Sequence, residues 1–369
     1  MSKTCAVVAI TKNGVDIARR ISLNHLDCHV FYPEKFAQGD EVELGIHLLR
    51  DNRISELISE IFHEYRSIIG ILSLGAMVRL IAPLLVDKKT DPAIVVVDDK
   101  AKHVVSVLSG HLGGANQLAC EIAEILGANP VITTASDVGH TIAVDLLGRR
   151  LGFEIENFAC VKKASAAIVN EEMIHIIQES GEQGWWPDDK PLPNNIRLFY
   201  SLREALLQPF GAALVITHRL LSKQENQLLG ECCVVYRPKV IVVGIGCNRG
   251  TSAGEIEQAI GDVLSQAQIS LKSIRNMATI DIKQDEQGLL EVCNLHGWRL
   301  ETFRANELNT VKLSNPSEMV YKYVGAYGVS EPAARLSSRA ESSIIEKVKH
   351  GNVTISVCLV HDDLEKRDG

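Results

Sequence analysis

Runs of basic residues and C-x-x-C pairs are missing from this chain of 369 residues, and no secretory leader is expected. No cluster of Lys or Arg exceeds two, as at Lys88-Lys89, Arg149-Arg150 and Lys162-Lys163, and the formal net charge is −8. That combination excludes broad, sequence-independent binding of nucleic acid, which needs many phosphate contacts, although a local basic pocket can still hold an anion. Nine cysteines with no C-x-x-C spacing, an odd total, point to reduced thiols in the cytoplasm rather than a disulfide framework. Only six apolar residues separate Thr4 from Thr11, too few for a secretory signal. One stretch, Ile68–Val86, runs nineteen residues with Arg79 as its sole charge. It reads as a strand, a turn at Gly75 and a helix stopped near Pro83, because Arg79 at mid-membrane is costly; no membrane partner is expected.

What is present is alternation. Cys5–Ile10, His29–Phe31, Ile68–Leu72, Ala93–Val97, Val104–Leu108 and Val131–Thr133 read as strands, and Val15–Leu23, Leu44–Phe62, Ala76–Leu84 and Gly114–Leu126 as helices. The fold class expected is α/β: two three-layer α/β domains with mainly parallel sheets, joined by a variable middle segment. The boundaries expected are an N-terminal domain over 1–137, a middle region and linker over 138–236, a C-terminal domain over 237–362 and a frayed tail over 363–369. In the middle, Glu179–Asn195 loses all periodicity, with Trp185-Trp186 more suited to packing the loop than to stacking on a ligand; a strand near Ala212–Thr217 and a charged connector around Arg219–Gly230 follow.

Two polar clusters carry the chemistry of the first half. Ser109-Gly110-His111-Leu112-Gly113-Gly114-Ala115-Asn116 joins a strand to a helix, and Thr133-Thr134-Ala135-Ser136-Asp137 follows the next strand, so both are expected to face one cleft. His111 is the candidate general base, with Asp137 orienting its ring and Ser109 grouped with them; the plain alternative is a turn residue bonded to a carbonyl. Thr133, Thr134, Ser136 and Asn116 line the cleft, and the amides around Gly113, Gly114 and Ala115 are candidate oxyanion donors. In the last third, Gly244-Ile245-Gly246-Cys247-Asn248-Arg249-Gly250-Thr251 has Arg249 where a dinucleotide fingerprint needs glycine, and no Gly-Lys-Ser/Thr follows. A loop of backbone donors plus a guanidinium suits a carboxylate or phosphate. Cys247 is better read as a small buried thiol than as a nucleophile. Lys283, Asn315, Ser317 and Ser330 stand just before helices; Ser252, Ser and Asn there are caps, Pro316 and Pro332 fit first-turn positions, and together the group can form an anion-binding rim. No metal site is expected, since His25 and His29 straddle a turn and Cys232-Cys233 lack partners.

Taken in order, the motifs at 109–116, 133–137 and 243–251, with Asp281–Leu290, Asn315–Ser317 and Val329–Ala334, resemble the cobalt-precorrin-5A hydrolase family of anaerobic cobalamin biosynthesis. The resemblance implies a hydrolase that opens the δ-lactone of a cobalt-bound tetrapyrrole and expels acetaldehyde. It implies no cofactor, because the conjugated macrocycle is its own electron sink and cobalt arrives with the substrate. Gly246, Asn248, Arg249, Gly250, Thr251 and Lys283 would then meet substrate carboxylates, and both glycine-lined turns would serve one flat polyanionic guest. A non-catalytic corrinoid carrier and a nucleotide-binding α/β enzyme are the alternatives, and the sequence leaves a homodimer open.

Overall fold

The computed structural model describes residues 3–24, 27–50, 53–87, 89–139, 141–187 and 190–360. The chain divides into two compact units, one ending at Leu146 and one beginning at Leu147.

The first unit holds β1 (Lys3–Ala9), β2 (Cys28–Pro33), β3 (His47–Leu49), β4 (Tyr65–Ile71), β5 (Ala93–Val97), β6 (His103–Leu108) and β7 (Asn129–Val131), with α1 (Lys12–Asn24), α2 (Ile54–Glu64), α3 (Leu74–Ile81), α4 (Ala115–Leu126) and α5 (Ala135–Val138). The strands form one sheet in the order β3-β2-β1-β4-β5-β6-β7. Short runs rich in Val and Ile make it, buried on both faces as parallel strands require. Alternation along β1 sends Cys5, Val7 and Ala9 to a core shared with α1 and α4, and Ala6 and Val8 to a second core with α2 and α3. All pairings are parallel except β5 with β6. That one reversal matters, because it puts the carboxyl ends of β6 and β7 at the end of the sheet where β5 begins.

The second unit carries two sheets. The first is built from β8 (Glu154–Ile155), β9 (Ile174–Gln178), β10 (Ile196–Phe199), β11 (Ala212–Ile216) and β12 (Cys233–Arg237) in the order β10-β9-β11-β12-β8, parallel except at β8. The second is built from β13 (Ile241–Cys247), β14 (Ile274–Ile280), β15 (Arg299–Phe303), β16 (Ile345–His350) and β17 (Val353–Leu359) in the order β15-β14-β13-β17-β16, with β16 and β17 antiparallel additions to a parallel core. Helices α6 (Val161–Val169), α7 (Leu202–Ala205) and α8 (Lys223–Leu229) accompany the former sheet, and α9 (Ala253–Gln266), α10 (Gln287–His296), α11 (Ala305–Leu308), α12 (Glu318–Val324) and α13 (Ser330–Ser338) the latter. Helix α13 lies so close on β13 that a Cβ at Gly244 would collide with the Ser330 carbonyl oxygen, so only glycine fits.

The α/β class and mainly parallel sheets are as the sequence predicts, and the middle region adds a third sheet of its own. Several local expectations change. Leu44–Phe62 is not one helix: Gly45 adopts a left-handed φ of 66°, and the buried Glu41 carboxylate accepts from Gly39 N at 2.9 Å and Tyr32 Oη at 2.9 Å, building a loop before β3 and α2. The charged connector at 219–230 contains α8, whose start is fixed by a capping box between Ser222 and Glu225. Pro316 precedes the Ser317 cap instead of entering the first turn, while Pro332 lies inside the first turn of α13. In the aperiodic 179–195 loop, Trp185 Nε1 donates to Gln178 Oε1 at 2.8 Å and Trp186 Nε1 to the Lys190 carbonyl at 2.8 Å, so both indoles serve the loop itself. Among the described residues no helix is long and apolar enough to cross a membrane; Ile68–Val86 is the end of β4 followed by α3. Lys88, His25 and the tail over 363–369 lie outside the described residues.

Candidate active site

The loop after β6 is shaped by three demands on its backbone. Ser109 takes φ 56° and Gly114 φ 90°, the left-handed region that strains a side chain. A Cβ at Gly110 would stand 2.7 Å from Asn116 Oδ1, and one at Gly113 2.7 Å from the Ser109 carbonyl oxygen. The glycines are therefore used to fold the loop tightly enough to hold His111 over the start of α4. The turn closes on itself: Gly114 N donates to the His111 carbonyl at 3.0 Å, Ala115 N to that of Ser109 at 3.2 Å and Asn116 N to that of Gly110 at 3.1 Å. The amides of Gly114 and Ala115, expected as oxyanion donors, are thus already engaged. Ser109 is likewise turned away from catalysis, its hydroxyl donating to the Asp91 carbonyl at 3.0 Å.

His111 and the Thr133–Asp137 cluster do converge, since β6 and β7 run parallel and end side by side. His111 Nε2 lies 2.9 Å from Asp137 Oδ2 and 3.1 Å from Ser136 Oγ. Its Nδ1 lies 3.2 Å from Asp145 Oδ1. The two carboxylates differ in setting, the Asp145 side chain being 13% exposed and that of Asp137 42%. Asn116, itself buried, ties the floor together: its Nδ2 donates to Thr134 Oγ1 and to Asp137 Oδ2, each at 2.9 Å, while its Oδ1 accepts from Ser106 Oγ at 2.6 Å. Thr133 is exposed and Ser136 buried. The His111 pKa is raised: the Asp145 hydrogen bond favours the charged ring most, burial opposes it, and Asp137 adds to the rise. An imidazole so flanked holds its proton more tightly than an ordinary histidine, so its protonated, proton-donating form persists to higher pH than the sequence suggests. Asp145 carries no sequence signal: it falls in the unpatterned stretch beyond Val138, and no motif marks it.

This cleft sits at the opposite end of the sheet from the point where the strand order reverses, between β1 and β4. There the carboxylate of Asp99 accepts from Thr11 Oγ1 and, at 2.9 Å, from Asn13 Nδ2. At the usual ligand position of an open α/β sheet the chain thus bonds its own polar groups to one another, and the β5–β6 reversal puts the His111 cleft at the opposite end.

In the last third the loop after β13 is ordered by acids. Arg249 lies 2.6 Å from Asp285 and 3.5 Å from Glu286, and its side chain is 63% exposed. Lys283 Nζ donates to Glu286 Oε2 at 2.9 Å and Gly250 N to Glu286 Oε1 at 2.7 Å. Burial would raise the Glu286 pKa, but bonds from Lys283 and Gly250 with the charges of Lys283 and Arg249 hold it below the ordinary value. Asn248 Nδ2 donates to Asn352 Oδ1 at 2.8 Å, Thr251 Oγ1 to the Asn248 carbonyl at 2.8 Å, and Thr354 Oγ1 to the Gly246 carbonyl at 3.1 Å. Burial pushes the Cys247 thiol up despite Lys283 nearby, so it stays protonated. Ser330, expected at an anion-binding rim, is instead buried and accepts from Ser356 Oγ at 3.2 Å. Ser317 caps α12 through Val320 N at 3.3 Å, Ser252 caps α9 through Glu255 N at 3.3 Å, and Asn315 is exposed. Among the described residues no group of three His, Cys, Asp or Glu is placed to hold a metal.

Comparison with known proteins matches three families along the chain: Cobalamin synthesis G N-terminal over residues 56–137, Cobalamin biosynthesis central region over 142–238 and Cobalamin synthesis G C-terminus over 241–358. A cobalt-precorrin-5A hydrolase of Priestia megaterium is 51% identical over 358 residues, 97% of this chain and 95% of that protein. Another, of Salmonella typhimurium, is 29% identical over 97% of this chain and 98% of its own length. A solved cobalamin biosynthesis protein G homologue from Sulfolobus solfataricus aligns over 98% of both chains at 20% identity, with a TM-score of 0.37.

Proposed function

The chain belongs to the cobalt-precorrin-5A hydrolase family, and from that premise we propose that it opens the δ-lactone of cobalt-precorrin-5A and releases acetaldehyde to give cobalt-precorrin-5B in anaerobic cobalamin biosynthesis. The observation that carries this reading is the 51% identity to a hydrolase of that name across nearly the whole of both chains.

The chemistry falls into two steps. Lactone opening needs a group to take a proton from water and a group to give one to the departing oxygen. The resulting secondary alcohol must then lose its proton, so that the adjacent carbon–carbon bond breaks, acetaldehyde leaves and the electron pair passes into the ring. The macrocycle accepts that pair itself, and cobalt enters as part of the substrate, so the reading calls for no cofactor of the protein's own. We assign the proton transfers to the His111 cleft, because it pairs a proton-holding imidazole with a carboxylate open to solvent. Thr133 and Thr134 line its rim. For the carboxylates of the substrate we look to Arg249, whose exposed ion pair with Asp285 can be exchanged for a ligand carboxylate; Lys283 is held more firmly by the buried Glu286. The odd cysteine count suits a cytoplasmic enzyme.

Incubating the purified protein with the cobalt lactone, while following the visible spectrum and trapping aldehyde, tests the reading. A colour change with acetaldehyde supports it; a colour change without acetaldehyde would mean a corrinoid carrier. The His111→Ala variant should lose on the order of 10²-fold or more in rate, and wild-type turnover by that variant would remove the site from the mechanism.

A further inference from the structure

We propose that Asp145 is a positioning residue that fixes His111 as the proton donor of lactone opening, and that the Asp137 carboxylate, not the imidazole, takes the proton from water. This rests on the hydrolase reading above.

The argument begins with the count of protons on the ring. A carboxylate faces each nitrogen of His111, Asp145 at Nδ1 and Asp137 at Nε2, at 3.2 and 2.9 Å. A neutral imidazole carries one N–H, so it would satisfy one carboxylate and aim a lone pair at the other; the imidazolium satisfies both. Among the described residues, the groups facing the ring are Asp137 and Ser136 on α5 and Asp145 in the segment after it. Asn116, on α4, reaches Asp137 rather than the ring. The raised pKa of His111 agrees with this geometry. Exposure then separates the two acids. Asp145 is shielded, as a group that holds a ring in place should be, while Asp137 opens to solvent, where water and substrate arrive.

Protons balance on this assignment. Water gives a proton to Asp137 as its oxygen bonds to the lactone carbonyl carbon. The tetrahedral adduct collapses, the acyl carbon–oxygen bond breaks with its electron pair on the departing oxygen, and that oxygen takes the proton from His111 Nε2. A carboxylic acid and a secondary alcohol result. Asp137 then returns its proton to Nε2 across the 2.9 Å contact, which restores both groups. The restored Asp137 carboxylate is also placed to deprotonate the new alcohol for the second step.

The test compares wild type with Asp145→Asn in two readouts. Nitrogen-15 NMR of the substrate-free full chain follows the His111 ring with pH, and kcat for acetaldehyde release is measured over the same range. Wild-type His111 should titrate above the ordinary histidine value with both nitrogens protonated below it. In Asp145→Asn the titration and the alkaline limb of kcat should move together to lower pH. The loss in kcat should be about tenfold at mildly alkaline pH and about twofold or less at pH 6. A uniform loss at every pH, as a merely structural role would give, overturns the proposal. If Asp145→Asn does not fold, the wild-type titration decides alone, and a ring that titrates at or below the ordinary value overturns it. Wild type that releases no acetaldehyde, with the ring still titrating high, would instead refute the hydrolase reading.

Discussion

His175 is an acid-sensitive point of the core. It lies on β9 with no exposed surface, its ring between Phe199 at 4.6 Å and Phe210 at 5.0 Å, and neither ring nitrogen has a hydrogen-bond partner. Burial pushes its pKa below the ordinary value, and the nearby Ala205 main chain offsets only part of that. A histidine with a depressed folded-state pKa stabilises the fold fully above its unfolded value of about 6.5, and that stability is lost as pH falls below it. If the folded ring stays neutral throughout, the loss amounts to roughly 2 kcal/mol by pH 5, from a limiting slope of about 1.4 kcal/mol per pH unit. Leaving polar nitrogens unpaired in the core costs on the order of 1–3 kcal/mol at any pH. His175→Leu should therefore be more stable than wild type by about 1–3 kcal/mol at pH 7.5, and by more at pH 5, the added margin reaching at most about 2 kcal/mol. Urea unfolding of both proteins at the two pH values, read as a difference of differences, isolates this one residue from the other titrating groups. An equal loss of stability between pH 7.5 and pH 5 in both proteins would refute the reasoning.

Three further outcomes follow from the same physical logic. Arg249→Ala should raise KM severalfold, most at low ionic strength, with kcat within about twofold, in steady-state assays across a salt series; an unchanged KM would exclude Arg249 from carboxylate binding. Glu286→Ala removes the buried partner of Lys283 and the acceptor of Gly250 N, and should cost about 3 kcal/mol or more by urea unfolding. Because the Glu286 pKa is lowered in the folded state, its contribution is present above the unfolded carboxylate value and is lost as pH falls through the folded one, so wild type and variant should converge in acid. Gly244→Ala should leave little folded protein by circular dichroism, since its Cβ would collide with the Ser330 carbonyl oxygen, which α13 cannot move aside.

The other strands of the first unit were legible, while β3 was hidden inside the Leu44–Phe62 helix pattern, because short Val- and Ile-rich runs bounded by turn residues have few other uses in a buried parallel sheet and His47–Leu49 is not such a run. The cleft was half legible. Three glycines and an asparagine around His111 exceed what a plain turn needs, and a polar cluster after the next parallel strand had to end beside it. Asp145 was not legible, because a lone aspartate in an apolar stretch has no spacing that ties it to a histidine thirty-four positions earlier. The donor roles expected of Gly114 and Ala115 failed for a related reason: sequence shows which amides a loop contains but not which carbonyls of the same loop they already meet. Ser330 shows the same limit, a residue before a helix that reads equally well as a rim group or as a buried contact, and only packing against β17 decides. The Leu44–Phe62 stretch misled because its apolar spacing continues through Gly45 and the Glu41 loop, where backbone conformation overrides periodicity.

The central claim is that this chain turns one lactone into one ring-contracted corrinoid and one acetaldehyde, with the protons handled at His111. Counting acetaldehyde against corrinoid consumed, for wild type and His111→Ala at equal protein concentration, addresses it most directly. One aldehyde per corrinoid with wild type, and a rate at least about 10²-fold lower with the variant, is the result expected. Consumption of corrinoid without aldehyde, or equal rates from both proteins, would contradict it.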